Sequence, residues 1–213
     1  MIMKRSIAAF DFDGTLTTRD SFLAFIRYAC GKWRYYAGFA LYAPMLLLML
    51  ARLYPHDRAK QRLFSHFFKG WQHDRFAALA REFSTEIDKM RNHPVINRLQ
   101  EHVARGDTVY IVSASLPEWI EPWCSQLGVN AVLATEIQVN SEGLITGRFK
   151  TRNCYGAEKV ARLLQVEPNR RQYILHAYGD SAGDKEMIAF ADEGTLITGQ
   201  PLPPLRDDGL SNE

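Results

Sequence analysis

A chain of 213 residues with 46% hydrophobic and 23% charged side chains has the composition of an ordinary globular protein, which excludes a disordered chain and a multi-span membrane protein. The length allows one catalytic-sized core and a small accessory domain, not two full domains. A formal net charge of +2, with no recognisable binding motif, gives no reason to expect nucleic acid as a partner. Three scattered cysteines, Cys30, Cys124 and Cys154, form no CxxC pair, so neither a disulfide framework nor a zinc site is expected. The N-terminus carries two basic residues but no apolar run of signal-peptide length. A reducing, cytoplasmic setting is the simplest expectation.

The first apolar segment, residues 6–10, reads as a buried strand and runs directly into Asp11 and Asp13 in AAFDFDGTLT. About 75 residues follow with helix-like spacing and no strand pattern. An insertion of that size is far longer than a normal connection and predicts a domain of its own, a helical cap over 18–92. The charge is concentrated there, with 13 Lys and Arg against 6 Asp and Glu, while the remainder has 13 against 18. Such a split is either a solvated helical surface or a match for an anionic substrate or anionic lipid.

Strand-like segments then recur at 109–113, 131–135, 172–178 and 195–198, alternating with helical patterns at 94–105, 116–127, 156–164 and 184–191. This alternation predicts an α/β fold, a Rossmann-like parallel sheet with helices on both faces, formed by 1–17 and 93–213. Residues 136–149 interrupt it: EIQV and LITGRF flank the turn signal Asn-Ser-Glu-Gly and predict a β-hairpin. The Pro-rich end at 201–204 and a frayed tail from 206 close the chain.

In a parallel sheet of this kind, ligands bind at the carboxyl ends of the strands. Asp11 and Asp13 follow the first strand, Ser113 closes the second, and Asp180 and Asp184 follow the fourth. Carboxylates buried side by side cost several kcal/mol unless a cation compensates them, and an all-oxygen set suits a hard cation, with magnesium the natural candidate. Taken singly, each Asp could be a turn or cap residue; Asp184 in particular could cap the helix that follows it.

DFDGTLT at 11–17, Ser113 in YIVSAS, Lys159 in GAEKV and GDSAGD at 179–184 together resemble the four motifs of the haloacid dehalogenase superfamily, in order and across essentially the full chain. The resemblance implies a magnesium-dependent phosphatase with Asp11 as nucleophile and a phospho-aspartyl intermediate. It implies metal ligation by Asp11, Asp180, the backbone carbonyl of Asp13, and Asp184 directly or through water. Asp13 would be the general acid and base, a role that needs a raised pKa, while Ser113 and Lys159 would hold the phosphoryl oxygens.

The helical insert between the first and second motifs looks like the C1-type cap of the phosphoserine-phosphatase branch. In that branch Asp20 would meet a substrate amine and Arg62 a substrate carboxylate. The usual Ser-Gly-Gly is Ser113-Ala114-Ser115 here, placing side chains where a serine carboxylate would approach backbone.

Residues 35–51, YYAGFALYAPMLLLMLA, run 17 positions without a charge between Arg34 and Arg52. One helix of that length would span about 25 Å and be kinked at Pro44. It reads as cap core, as a membrane-facing surface, or as a span. An apolar cap flanked by arginines is similar to that of the phosphatidylglycerophosphatase C branch, whose substrate is a lipid phosphate. The expectation is therefore a phosphomonoesterase acting on a small phosphorylated substrate. Lipid phosphate with peripheral membrane contact, phosphoserine, and a catalytically silent membrane-associated scaffold remain as alternatives. The six histidines show no ligand spacing and read as surface or core residues, and the four tryptophans as packing.

Overall fold

The structure is a computed structural model and describes residues 5–51 and 53–205. Arg52 and the segment from 206, both singled out in the sequence, lie outside the described residues, as does the N-terminus before Arg5.

Five parallel strands form the sheet: β1 (Arg5–Phe10), β2 (Thr108–Ser113), β3 (Ala131–Ala134), β6 (Tyr173–Gly179) and β7 (Glu193–Leu196), in the order β3-β2-β1-β6-β7. Strands β4 (Ile137–Val139) and β5 (Ile145–Phe149) pair antiparallel as the expected hairpin. Strand β7 starts two residues before the β-branched run that predicted it, because its pairing with β6 begins at His176 and Glu193.

β1 is central, and its side chains alternate between two cores. Ala8 and Phe10 join Val109, Ile111 and Tyr178 on one face, under α4 (His93–Ala104) and α5 (Pro117–Cys124). Ile7 and Ala9 join Tyr110, Val112 and Leu175 on the other, under α6 (Ala157–Val166) and α7 (Lys185–Phe190). The chain leaves β1 toward β2 on one side and returns to β6 on the other, so a topological switch point lies between β1 and β6.

Three helices, α1 (Ser21–Leu50), α2 (His56–Phe68) and α3 (His73–Ile87), form the insertion between β1 and β2. Its two connections run side by side: Thr17 bridges Arg91 antiparallel, Thr18 N–H donates to Met90 O at 2.7 Å, and Asn92 N–H donates to Leu16 O at 2.9 Å. α2 buries Ala59, Leu63, Phe64, Phe67 and Phe68, a helical stripe, and α3 buries Phe76, Ala80, Phe83 and Ile87. These rings converge on Phe25 of α1, which lies 5.1 Å from Phe76, 5.3 Å from Phe83 and 4.8 Å from Trp119 of α5. The apolar core is therefore continuous from insertion to sheet.

α1 departs from expectation. Its backbone breaks at Gly31 (φ 78°, ψ 162°), a region open essentially to glycine alone, while Pro44 is carried within the helix. The apolar stretch 35–51 is split between two environments. Gly38 and Met45 are buried, whereas Leu41, Leu47, Leu48 and Leu50 are exposed. Among the described residues no helix is long and apolar enough to cross a membrane. Trp33, expected to pack, is 88% exposed, while Trp119 and Trp123 are buried.

Candidate active site

Asp11 is the first residue past β1, and its N–H continues the ladder by donating to Tyr178 O at 2.8 Å. Gly14 (φ 85°) turns the loop back under the sheet edge, and a Cβ there would collide with the Asp180 carboxylate. The parallel pairing of β1 with β6, Phe10 opposite Tyr178, brings Asp11 to Asp180 and Asp184 beyond the end of β6. Each of the three offers an oxygen within 4.8 Å of the others, and Thr15 Oγ1 lies 3.3 Å from Asp11 Oδ2 and 3.4 Å from Asp180 Oδ1.

Lys159 reaches this cluster from α6. It is buried, and its ammonium donates to Asp11 Oδ1, to Asp184 Oδ1 at 2.6 Å and to Val112 O at 2.8 Å. Burial alone would depress a lysine, but the two carboxylates outweigh it and the pKa is raised. Asp184 spends its other oxygen on Ser181 N–H (3.0 Å) and Ser181 Oγ (2.8 Å). It closes a capping box with Ser181 and makes no side-chain cap to α7, the alternative role considered for it.

Burial lifts Asp11 to about 7, against the opposing pull of Lys159, with Asp184 and Asp13 adding to the rise. The reference value of a free carboxyl therefore misdescribes Asp11 as the chain alone holds it. Asp180 is raised by burial and by Asp184. Three clustered carboxyls, two of them (Asp11 and Asp180) held above their ordinary range, are what a divalent cation would relieve, so the donor set fits magnesium.

Asp13 is held apart from this trio. Its carboxylate accepts from Ser21 N–H at 2.6 Å and from the Ser115 hydroxyl. Burial first, then Asp20, raise it to about 6, and the Ser115 and Ser21 bonds restrain the rise. Ser115 is in turn 3.3 Å from Ser21 Oγ, to which Trp119 Nε1 donates at 3.0 Å.

A cavity of about 460 Å³ opens over these groups, walled by Asp11, Asp13, Lys159, Asp180, Ser181 and Asp184, with Arg19, Asp20, His56 and Lys60 from the insertion and Ala114 and Tyr155 from the sheet domain. Asp20 is there, but its Oδ1 also accepts from Leu23 N–H at 2.9 Å as the N-cap of α1. Ser113 closes β2 as expected; it is buried, and its hydroxyl accepts from Ser115 N–H at 3.0 Å. Ala114 supplies a wall and a carbonyl.

Arg62 is not brought to the site. It is absent from the cavity wall, and its guanidinium lies 5.6 Å from the Tyr54 ring. The α2 cation that faces the carboxylates is Lys60, whose ammonium donates to Ala114 O at 2.9 Å. His56 is exposed, as a surface histidine would be, yet it also lines the cavity, stacked on Tyr155 at 5.1 Å. Burial, then Lys60, lower its pKa. The only sequence signal for Lys60 was the basic excess of the insertion.

The family model of the haloacid dehalogenase-like hydrolases matches residues 8–189. The chain belongs to this hydrolase family. Among its relatives, Protein CicA of Caulobacter vibrioides is 33% identical over 192 residues, covering 88% of this chain and 83% of that protein. Among solved structures, a protein of unknown function from Bordetella pertussis Tohama I superposes with a TM-score of 0.75 at 20% identity, covering 88% and 87% of the two chains. A substrate-bound phosphoserine phosphatase superposes with a TM-score of 0.61 at 19% identity, over 88% and 83%. At these identities the two likenesses show a shared fold alone.

Proposed function

We propose that this hydrolase is a magnesium-dependent phosphatase that cleaves a phosphomonoester through a phospho-aspartyl intermediate on Asp11. Residues 1–17 and 93–213 act as the catalytic core and 18–92 as the cap. The observation that carries this reading is the meeting of Asp11, Asp180 and Asp184 within 4.8 Å at the switch point, with Lys159 buried against them.

Asp11, Asp180 and Asp184, with the Asp13 carbonyl, would hold the cation, which supplies charge neutralisation for the phosphate and favours ionised Asp11. The Asp11 carboxylate then attacks phosphorus, and the alcohol oxygen leaves. Lys159 keeps a fixed positive charge beside the nucleophile and the transferring group. Asp13, protonated, gives its proton to the leaving oxygen; as the carboxylate it then takes a proton from the water that hydrolyses the acyl phosphate. A carboxyl poised near 6 can serve in both directions, and its separate anchoring by Ser115 and Ser21 keeps it from the cation's carboxylates. Ser113, with its hydroxyl turned to Ser115 N–H, serves chiefly to shape the loop that presents Ala114 and Ser115. The displacement of Arg62 and the capping duty of Asp20 weigh against phosphoserine as the substrate.

The test is phosphate release from p-nitrophenyl phosphate with and without magnesium. Asp11→Asn is expected to lower turnover by several orders of magnitude and to abolish acid-stable trapping of phosphate on the protein. Equal activity in Asp11→Asn and wild type would refute the assignment.

A further inference from the structure

The insertion holds a second cavity that phosphoryl chemistry does not account for. Its volume is about 410 Å³, and its walls include Phe22, Leu23, Phe39, Leu46, Met49 and Leu63. Asp20, His56 and Lys60 belong to the walls of both cavities, so an apolar chamber and the carboxylate chamber meet at one polar threshold. Lys60 spans that threshold: its ammonium reaches Ala114 O at 2.9 Å and stands 5.0 Å from the Phe22 ring centroid. The far wall is the end of α1, where Leu50 lines the chamber and is 74% exposed, with Leu47 exposed beside it.

The geometry points to a chain subsite: the phosphomonoester cleaved here carries a long apolar chain on its alcohol. The phosphate lies at Asp11 and Lys159, the polar link passes Asp20, His56 and Lys60, and the chain fills the chamber between α1 and α2. This rests on the phosphatase reading and adds the class of alcohol. A small polar alcohol would leave the apolar walls wet, whereas a chain covers them and places a polar group only at the threshold.

A homologous series of alkyl phosphates from methyl to decyl, kept monomeric, tests the subsite. kcat/KM is expected to rise with length by up to about fourfold per methylene, the worth of burying one such group, and to level off when the chamber is full. Leu46→Trp and Leu63→Trp, which fill the chamber, are expected to lower the decyl to methyl ratio. A flat series in wild-type protein overturns the subsite while leaving the phosphatase reading intact.

If no phosphomonoester of any length is cleaved, the phosphatase reading fails. The unreactive alkylphosphonates, titrated calorimetrically, then still decide the subsite: affinity rising with chain length supports it, and equal affinity removes it. Decyl phosphate embedded in phosphatidylcholine vesicles separates the sources of the chain. Cleavage there identifies a bilayer as the source, cleavage of monomers alone identifies a free amphiphile, and cleavage of neither with length-independent phosphonate binding overturns the proposal.

Discussion

Asp11 and Asp13 are two residues apart and experience different environments. The carboxyl of Asp11 meets a lysine and two further acids, whereas that of Asp13 meets two serines. The pair was legible because two acids follow an apolar strand; the division of their surroundings was not, since Ser21 and Ser115 arrive from distant parts of the chain.

Ser115→Ala removes a hydrogen bond that favours ionised Asp13, so the Asp13 pKa should rise. Because the acid must be protonated to release the alcohol, activity falls as pH climbs through that pKa, and the falling limb of the kcat/KM profile should move to higher pH in the variant. A shift to lower pH would contradict the role given to Asp13. Asp11, lifted to about 7, makes a second demand: a cation binds the ionised carboxyl, so magnesium affinity should strengthen from pH 6 to 8 and binding should release protons. Calorimetry in buffers of different ionisation enthalpy measures that release, and none at pH 6.5 would argue against the cluster as the binding place. Lys60 escaped the sequence for a geometric reason: it precedes Arg62 by two positions, about 200° around a helix, so an alignment loose by two residues selects the wrong face.

At the scale of elements, the strands were readable because β1, β2 and β6 are buried on both faces and therefore nearly continuous in apolar residues. α1 was harder. Proline has a local cost that any reader of sequence can assign to Pro44, but where a helix must turn depends on what it packs against, and Gly31 is where the backbone turns. Gly31→Ala should cost about 1–3 kcal/mol from backbone strain alone, since an added Cβ meets nothing within 4 Å. Urea denaturation measures it; an unchanged midpoint would mean that the break at Gly31 is not required. The same pattern explains the apolar stretch of α1, which composition describes as uniform and packing divides into a face against α2 and a face toward solvent.

For the whole molecule, α4 is tied to the sheet by a buried polar chain. His102 lies 2.6 Å from Asp107 through Nδ1 and 2.8 Å from Tyr178 through Nε2, an arrangement that suits a neutral imidazole donating to Asp107 and accepting from the Tyr178 hydroxyl. Burial lowers its pKa from 6.5 and so favours the neutral ring, although Asp107 pulls the other way; Asp107 itself is held below 3.8, where burial is outweighed by its bond to His102. The signs agree. The unfolded chain takes up the His102 proton first, so the contribution of this chain of bonds to stability should be full above about pH 6.5 and decline as pH falls below it, with Asp107 adding a further loss below its unfolded value of 3.8, while the raised Asp11 and Asp13 act with the opposite sign. The gap between the urea midpoints of wild type and His102→Gln tests this: it should be larger at pH 8 than at pH 5.5, and an equal gap at the two pH values would assign the effect elsewhere.

The paired connections at Thr17 and Arg91 have a consequence of another kind. Because the insertion leaves and rejoins the sheet through neighbouring backbone, its length hardly affects the entropy of closing the loop, which grows only as the logarithm of chain length. The sheet is in that sense a socket into which differently sized inserts could be plugged. The socket has a floor, however: Trp119 is fully buried with Phe25 and Phe83 packed on it. An exchange of inserts that keeps the connections but ignores Trp119 would leave an aromatic floor bare to water, so insert and floor must be transplanted as one piece.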